Sequence, residues 1–353
     1  MTSAGAHAAD VIKKGDSSMA DASTPPADAA RPVNSSQLGR EYGRAHDGTY
    51  LQNWNPLMLA ADLRPGAIVG RDFLGTRVIV YRDPEGKPVV QSAYCPHVGA
   101  DLSQGEIVNG RVRCAYHHWQ FAANGRCVAI PSTNRIPPVA RLYNYPAAER
   151  WGLIWAFNGE QPLHELPEVP NCKEEDLYFK VFHHGLRPVE GWISSSNLVD
   201  FQHLTTVHGI PDAIPTSVVF DKYVVTVRQE SAARVADTQL FGGTWFTAHT
   251  QYSDGTERMF MAGSSQVGPG LSDAYFVVAR RKSEVEKLGT EAIDESISKQ
   301  VAYVHKLYRE DEPILFSLRF RGRGKSALLD VDKYFGQFLE YIEKYPRSAP
   351  FDV

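Results

Sequence analysis

The sequence predicts an α+β chain: a small antiparallel β domain, then a domain that combines an antiparallel sheet with helices. Three observations predict it. Residues 50–158 read as short β runs punctuated by glycine and proline turns. The proline-rich stretch Pro162–Pro170 then interrupts the pattern. Beyond it helical and strand-like segments mix, and the chain closes on "KYFGQFLEYIEKY". There Phe335, Phe338, Leu339 and Ile342 fall at i, i+3, i+4 and i+7 of an amphipathic helix.

The elements follow in order. Residues 1–44 are rich in Ala, Ser, Asp, Pro and Thr, with almost no aromatics, and are expected to be a disordered tail. Residues 45–160 form the first domain. Within it Arg77–Tyr81 and Val89–Tyr94 read as a hairpin, with Pro84 and Gly86 in the turn. "GRVRC" and "GRCVAI" are further strands, each opened by a glycine turn, and "WGLIWAF" closes the set. Residues 161–353 form the second domain. In it residues 192–208 and about 290–319 read as helices, and 217–229, 239–252, 257–263 and 273–281 as antiparallel strands.

Composition narrows the function classes. The chain has 353 residues, 43% of them hydrophobic and 22% charged, enough for two packed domains. A net charge of -4 argues against general affinity for nucleic acid or an anionic membrane surface. No stretch is apolar for long enough to span a bilayer. Lys13 and Lys14 have no apolar run after them, so no secretory signal is read. Four cysteines do not make a disulfide framework. They suit a reducing compartment, the cytoplasm, as buried thiols or as metal ligands.

Two of those cysteines stand in "CPHVGADLSQGEIVNGRVRCAYHHW", Cys95 to Trp119: C-x-H, sixteen residues, then C-x-x-H. Thiolates and imidazoles are the ligands softer transition metals prefer. Zinc fingers usually pair like with like, C-x2-4-C and then H-x3-5-H. Here each loop supplies one of each, which suits a two-iron, two-sulfide cluster with both thiolates on one iron and both imidazoles on the other. The pattern resembles the Rieske motif. By that resemblance Cys95 and Cys114 bind one iron, and His97 and His117 the other. Pro96 stiffens the first loop, and Gly99 and Gly105 allow tight turns. His118 is not read as a ligand, and Cys127 and Cys172 are read as buried thiols.

The second half holds "SSSNLVDFQHLTTVHG", with Asn197, Asp200, His203 and His208. Two histidines and a distant carboxylate form the facial triad of non-haem iron(II) oxygenases. Five residues of regular α-helix turn the chain through about 500°, which leaves the two imidazoles roughly 140° apart. A break or π-bulge between Leu204 and Val207 is therefore expected. For the third ligand, "VHKLYREDEPILFSL" offers Glu310, Asp311 and Glu312. Val304, Tyr308, Asp311 and Leu315 share one helical face, which puts Asp311 on the apolar side and its neighbours off it. A carboxylate facing a core needs a partner or a metal. Pro313 should kink the helix just after this site.

The stretch resembles the N-x2-D-x2-H-x4-H signature of the Rieske non-haem iron oxygenases, and the resemblance covers about residues 45–353. It implies a helix-grip-like catalytic domain with mononuclear Fe(II) held by His203, His208 and Asp311. It also implies Asp200 as the bridge between the two centres and Asn197 beside it. The implied activity is that of a terminal oxygenase that hydroxylates or dealkylates a small aromatic or polycyclic substrate with O2. A homotrimer is implied, as is a separate flavin reductase or ferredoxin supplied by NAD(P)H. No glycine-rich dinucleotide motif is present to make the chain its own reductase. Phe201, Phe241, Trp245, Phe246, Phe260 and Met261 are candidates for the pocket wall. The rival reading is an electron carrier with a non-catalytic, partner-binding second domain, and a structural zinc protein is the third.

Overall fold

A computed structural model describes residues 48–210, 214–318 and 323–351. The expected tail, residues 1–44, lies outside the described residues.

The front part is built of short antiparallel strands. Thr76–Arg82 and Pro88–Ser92 form the hairpin that alternation and the Pro-Gly turn predict. Val69–Phe73 and Asn144–Tyr145 complete that four-stranded sheet. A second sheet sets Leu153–Phe157 between Ala147–Arg150 and Trp54–Leu59. A third is a small meander of Glu106–Val108, Arg111–Arg113, Gln120–Phe121 and Cys127–Ala129. Its loops, with that following Pro88–Ser92, carry the two Cys/His pairs.

The rear part centres on one seven-stranded antiparallel sheet. Its strands are β1 (Leu177–Arg187), β2 (Ser217–Phe220), β3 (Val224–Glu230), β4 (Arg234–Phe241), β5 (Trp245–Tyr252), β6 (Glu257–Gly268) and β7 (Leu271–Arg281), in the order β1-β7-β6-β5-β4-β3-β2. The sequence reading found most of this and misplaced its corners. The expected strand 217–229 is two strands, separated by the turn at 221–223. The expected strand 239–252 is the end of one and the whole of the next. Gly242 and Gly243 take positive φ, 54° and 74°, which side chains rarely tolerate, and so they turn the chain. β1 escaped notice because its Lys and His residues and a register shift at His183/Gly185 blur the alternation.

Helices α1 (Gly191–Ser196) and α2 (Phe201–Thr206) cross between β1 and β2. Then α3 (Lys282–Leu288), α4 (Thr290–Leu315) and α5 (Lys333–Lys344) follow the sheet. The period-two alternation of the strands sorts the two faces. Met259, Met261, Tyr275, Val277 and Trp245 point to one side, into a core shared with Trp54, Trp151 and Trp155 of the front part. Ala262, Phe276 and Val278 point to the other, where Ile293, Ile297 and Val304 of α4 cover them. On that same side α1 and α5 close over Val225, Val227 and Leu240 through Trp192, Ile193, Phe338, Leu339 and Ile342. The helices therefore grip one face of the sheet and the front part seals the other. The segment Pro162–Pro170 is irregular but pinned: Trp151 Nε1 donates to Pro167 O at 2.8 Å, and Thr247 Oγ1 to Glu168 O at 2.7 Å. No helix among the described residues is long and apolar enough to cross a membrane.

Candidate active site and metal centres

The two Cys/His loops are built alike. In each, the cysteine amide donates to the carbonyl five residues on: Cys95 to Ala100 and Cys114 to Trp119, both at 2.9 Å. In each, its carbonyl accepts from the residue four on: from Gly99 at 2.8 Å and His118 at 3.0 Å. That fourth residue must be left-handed, so Gly99 sits at φ 79° and His118 at φ 57°. This is why His118 follows a ligand position without sharing its direction. Gly105 has a different reason from the one expected. Its φ is -87°, but a Cβ there would stand 2.2 Å from Arg113 O, so the position needs close approach rather than a left-handed turn.

Both thiols are buried, Cys95 at 2% and Cys114 at 1% exposure, and both imidazoles are exposed. The His97 and His117 Nδ1 atoms face each other at 3.1 Å, and Trp119 stacks on His97 with ring centroids 4.5 Å apart. Burial, with the Cys114 sulfur beside it, pushes the Cys95 thiol up to about 12. Only a positively charged partner would make a thiolate stable there. Donor type, order and burial all fit a cluster with sulfur ligands inside and imidazoles at the surface. Cys127 is a buried thiol, as expected. Cys172 is not: it is half-buried, with Sγ 3.9 Å from His249 Nδ1.

The second cluster lies under α2 and α4. His203, His208 and Asp311 bring ligand atoms within 4.8 Å of one another. The expected break exists, but as a helix end and not a π-bulge. Helix α2 stops at Thr206, and Gly209, at φ 65°, caps it through a bond of 3.1 Å to Thr205 O. His208 therefore stands in the terminal turn, and its ring centroid comes to 5.2 Å from that of His203. Asp200 caps the other end, its Oδ1 accepting from the His203 amide at 3.3 Å. Its carbonyl also holds His203 Nδ1, which leaves Nε2 for a metal.

The acidic run works differently from expectation. Asp311 does face inward, 14% exposed, with Oδ1 3.1 Å from His208 Nε2. Its neighbours are not off the site. Glu310 Oε2 accepts from His208 Nδ1 at 2.9 Å and so aims the other ring nitrogen at Asp311. The hydrogen bonds from His208 and then Lys306 hold the Glu310 carboxyl below its usual range. Glu312 Oε1 accepts from His184 Nε2 at 3.0 Å and from Arg187 Nε at 3.1 Å. Burial opposes that carboxylate, yet His184 and the Arg187 charge hold it below the usual range. Sequence reasoning missed Arg187 and His184, and it weighed Glu310 and Glu312 only as alternatives to Asp311, not as partners of His208 and of Arg187 and His184. Pro313 lies inside α4, which ends two residues later at Leu315.

His203, His208 and Asp311 line a cavity of about 280 Å³. Of the six expected wall residues, Phe201, Phe246 and Phe260 line it. Trp245 and Met261 lie one position away on their strands and so face the front part's core, while Phe241 packs beside His164. Asn197 also lines the cavity, and with Asp200, His203 and Asp311 it lines a second one of about 490 Å³.

Because Glu310 fixes the His208 ring, Glu310→Gln is expected to weaken metal retention about 10- to 100-fold. Iron remaining after dialysis against a graded chelator measures it. Retention equal to the parent's would show that the Glu310 bond has no part in holding the metal.

Residues 53–146 match the Rieske [2Fe-2S] domain family. Aminopyrrolnitrin oxygenase PrnD of Pseudomonas fluorescens is 30% identical over 190 residues, 51% of this chain and 50% of that one. The oxygenase component of 3-ketosteroid-9-alpha-monooxygenase from Rhodococcus rhodochrous is 36% identical over 120 residues, 34% of this chain and 31% of the other. The chain thus spans about half or less of these relatives' own length. Among solved structures, Pseudomonas putida CBB5 NdmA, as its QL mutant with caffeine, superposes with a TM-score of 0.70 at 18% identity, covering 83% of this chain and 90% of that one. Dicamba monooxygenase bound to dicamba gives 0.66 at 20%, covering 84% and 98%. At such identities the two structures speak for the fold. Residues 53–146 of this chain thus form a Rieske [2Fe-2S] domain, and about half of the chain or less is similar in sequence to these oxygenases.

Proposed function

We propose that the chain is the terminal oxygenase component of a multi-component system and monooxygenates, by hydroxylation or dealkylation, a small aromatic or polycyclic substrate. The observation that carries the reading is the meeting of His203, His208 and Asp311 at the wall of a largely apolar cavity, in a chain that also holds a Rieske domain. When bound, a [2Fe-2S] cluster and a mononuclear ferrous ion supply one-electron transfer and dioxygen chemistry. Cys95, His97, Cys114 and His117 would hold the first, and the two histidines with Asp311 the second.

The chain's own residues do the rest. Glu310 and the Asp200 carbonyl fix the two imidazoles in the tautomers that free Nε2. Phe201, Phe246, Phe260 and Leu307 keep the cavity apolar and so exclude water. Asp200 lines the second cavity with Asn197 and His203. The resemblance to the Rieske oxygenases makes Asp200 the carboxylate between this site and a cluster brought by another subunit, and on that resemblance we infer a homotrimer. A separate flavin reductase or ferredoxin, fed by NAD(P)H in the cytoplasm, belongs to the same reading.

The deciding measurement is metal and sulfide analysis of the purified chain. Three irons and two acid-labile sulfides per chain, in a red-brown protein, are expected. Two irons would leave an electron carrier, and zinc without iron would remove both readings.

A further inference from the structure

We propose that the cavity beside His203, His208 and Asp311 binds an organic anion, an aromatic carboxylate whose acid group is held by Arg234. The inference rests on the oxygenase reading above and names the substrate class for that same site.

The argument is one of strand alternation. β3 and β4 turn Val227, Gln229, Arg234, Ala236 and Thr238 into the cavity. The acids of these same strands point the other way. On that opposite face Asp237 Oδ1 lies 2.8 Å from the Arg228 guanidinium, and Glu230 Oε2 3.3 Å from it. Register enforces this, because Arg228 stands directly across from Asp237. The strands thus compensate one arginine twice and leave the other uncompensated. Among the described residues the Arg234 side chain makes no hydrogen bond and no ion pair.

The second cation on the wall, Arg187, is different: it is 2% exposed and paired with Glu312 at 3.1 Å, a carboxylate it shares with His184, and only its Nη2 is without a hydrogen-bond partner among the described residues. The one carboxylate on the wall, Asp311, faces His208 Nε2 at 3.1 Å and belongs to the proposed metal site. A half-buried guanidinium with no ion-pair partner among the described residues, on the wall of a largely apolar cavity, attracts an anion. Its planar fork matches a carboxylate in two parallel hydrogen bonds. Thr250, which lies across from Ala236 and also lines the cavity, adds a hydroxyl donor nearby. The remaining wall, with Phe246, Phe260 and Leu307, fits an aromatic body and not a second polar group.

The test is calorimetric binding of 1-naphthoate and of its uncharged isostere 1-naphthamide to the iron-loaded protein, Arg234→Gln and Arg234→Lys. The unmutated protein is expected to prefer naphthoate by about tenfold or more. Arg234→Gln should abolish the preference while leaving naphthamide affinity unchanged. Arg234→Lys should keep part of it, since it retains the charge without the fork. Unchanged melting temperature in both variants would exclude a folding defect. The proposal falls if naphthamide binds the unmutated protein as well as naphthoate does, if the preference survives in Arg234→Gln, or if neither ligand binds. Iron and sulfide counts on the same samples report separately on the oxygenase. Three irons with no preference overturns the anion site alone, and two irons with the preference intact overturns the oxygenase alone.

Discussion

His203→Ala is expected to leave a coloured protein with two irons and two sulfides per chain and turnover reduced by about a thousandfold or more. The reasoning is local. His203 contributes one of three convergent ligand atoms, and no other His, Cys or acidic side chain among the described residues completes the group. The front loops share no hydrogen bond with α2 among those described, so the cluster and its visible absorption should survive. Asp200→Ala provides the contrast. Asp200 is outside the convergent set and reaches His203 through the backbone amide, at 3.3 Å, and through its own carbonyl. Alanine keeps that carbonyl. The variant is therefore expected to retain three irons and to lose coupled substrate oxidation. Three irons in His203→Ala, or coupled turnover in Asp200→Ala, would each contradict the assignment of that residue.

How far the sequence spoke depended on whether chemistry or tertiary geometry set the signal. Cys95, His97, Cys114 and His117 stood out because residue type, order and spacing together match what a two-iron cluster would impose, in a chain with only four cysteines. His203 and His208 were legible for the same reason. Even the need to interrupt their helix followed from 3.6 residues per turn. The form of the interruption did not follow, because a glycine cap and a π-bulge solve the same angular problem, and Gly209 lies just beyond the motif. Helical periodicity found Asp311 but could not find the partners of Glu310 and Glu312. Those partners, His208, His184 and Arg187, arrive from over a hundred residues away. Strand alternation placed the large sheet roughly and failed where a register shift disturbed it, in β1. It could not divide wall from core among the aromatics either. Phe246 and Trp245 are neighbours, equally apolar, and only the face of β5 decides which one meets the cavity.

Arg187→Met is expected to cost about 3–5 kcal/mol. Arg187 is 2% exposed. Its Nε bonds Glu312, Nη1 bonds Ser194 Oγ at 2.6 Å, and its guanidinium lies 5.0 Å from the Tyr308 ring centroid and 5.6 Å from that of Phe316. Methionine fills the space but leaves Glu312 a charge with only His184 against it. For a chain of this size the melting temperature should fall by roughly 6 °C or more. The companion Arg187→Met/Glu312→Gln removes the stranded charge and should recover part of the loss, which a double-mutant cycle reads as coupling. A single variant melting within about a degree of the parent would refute the account. The same pair ties α4 to β1 at the residue next to Asp311. Iron should therefore leave Arg187→Met at a lower temperature than it leaves the parent, and the double variant should fall between them. Loss of stability without earlier loss of iron would mean that the ion pair supports the fold but not the position of Asp311.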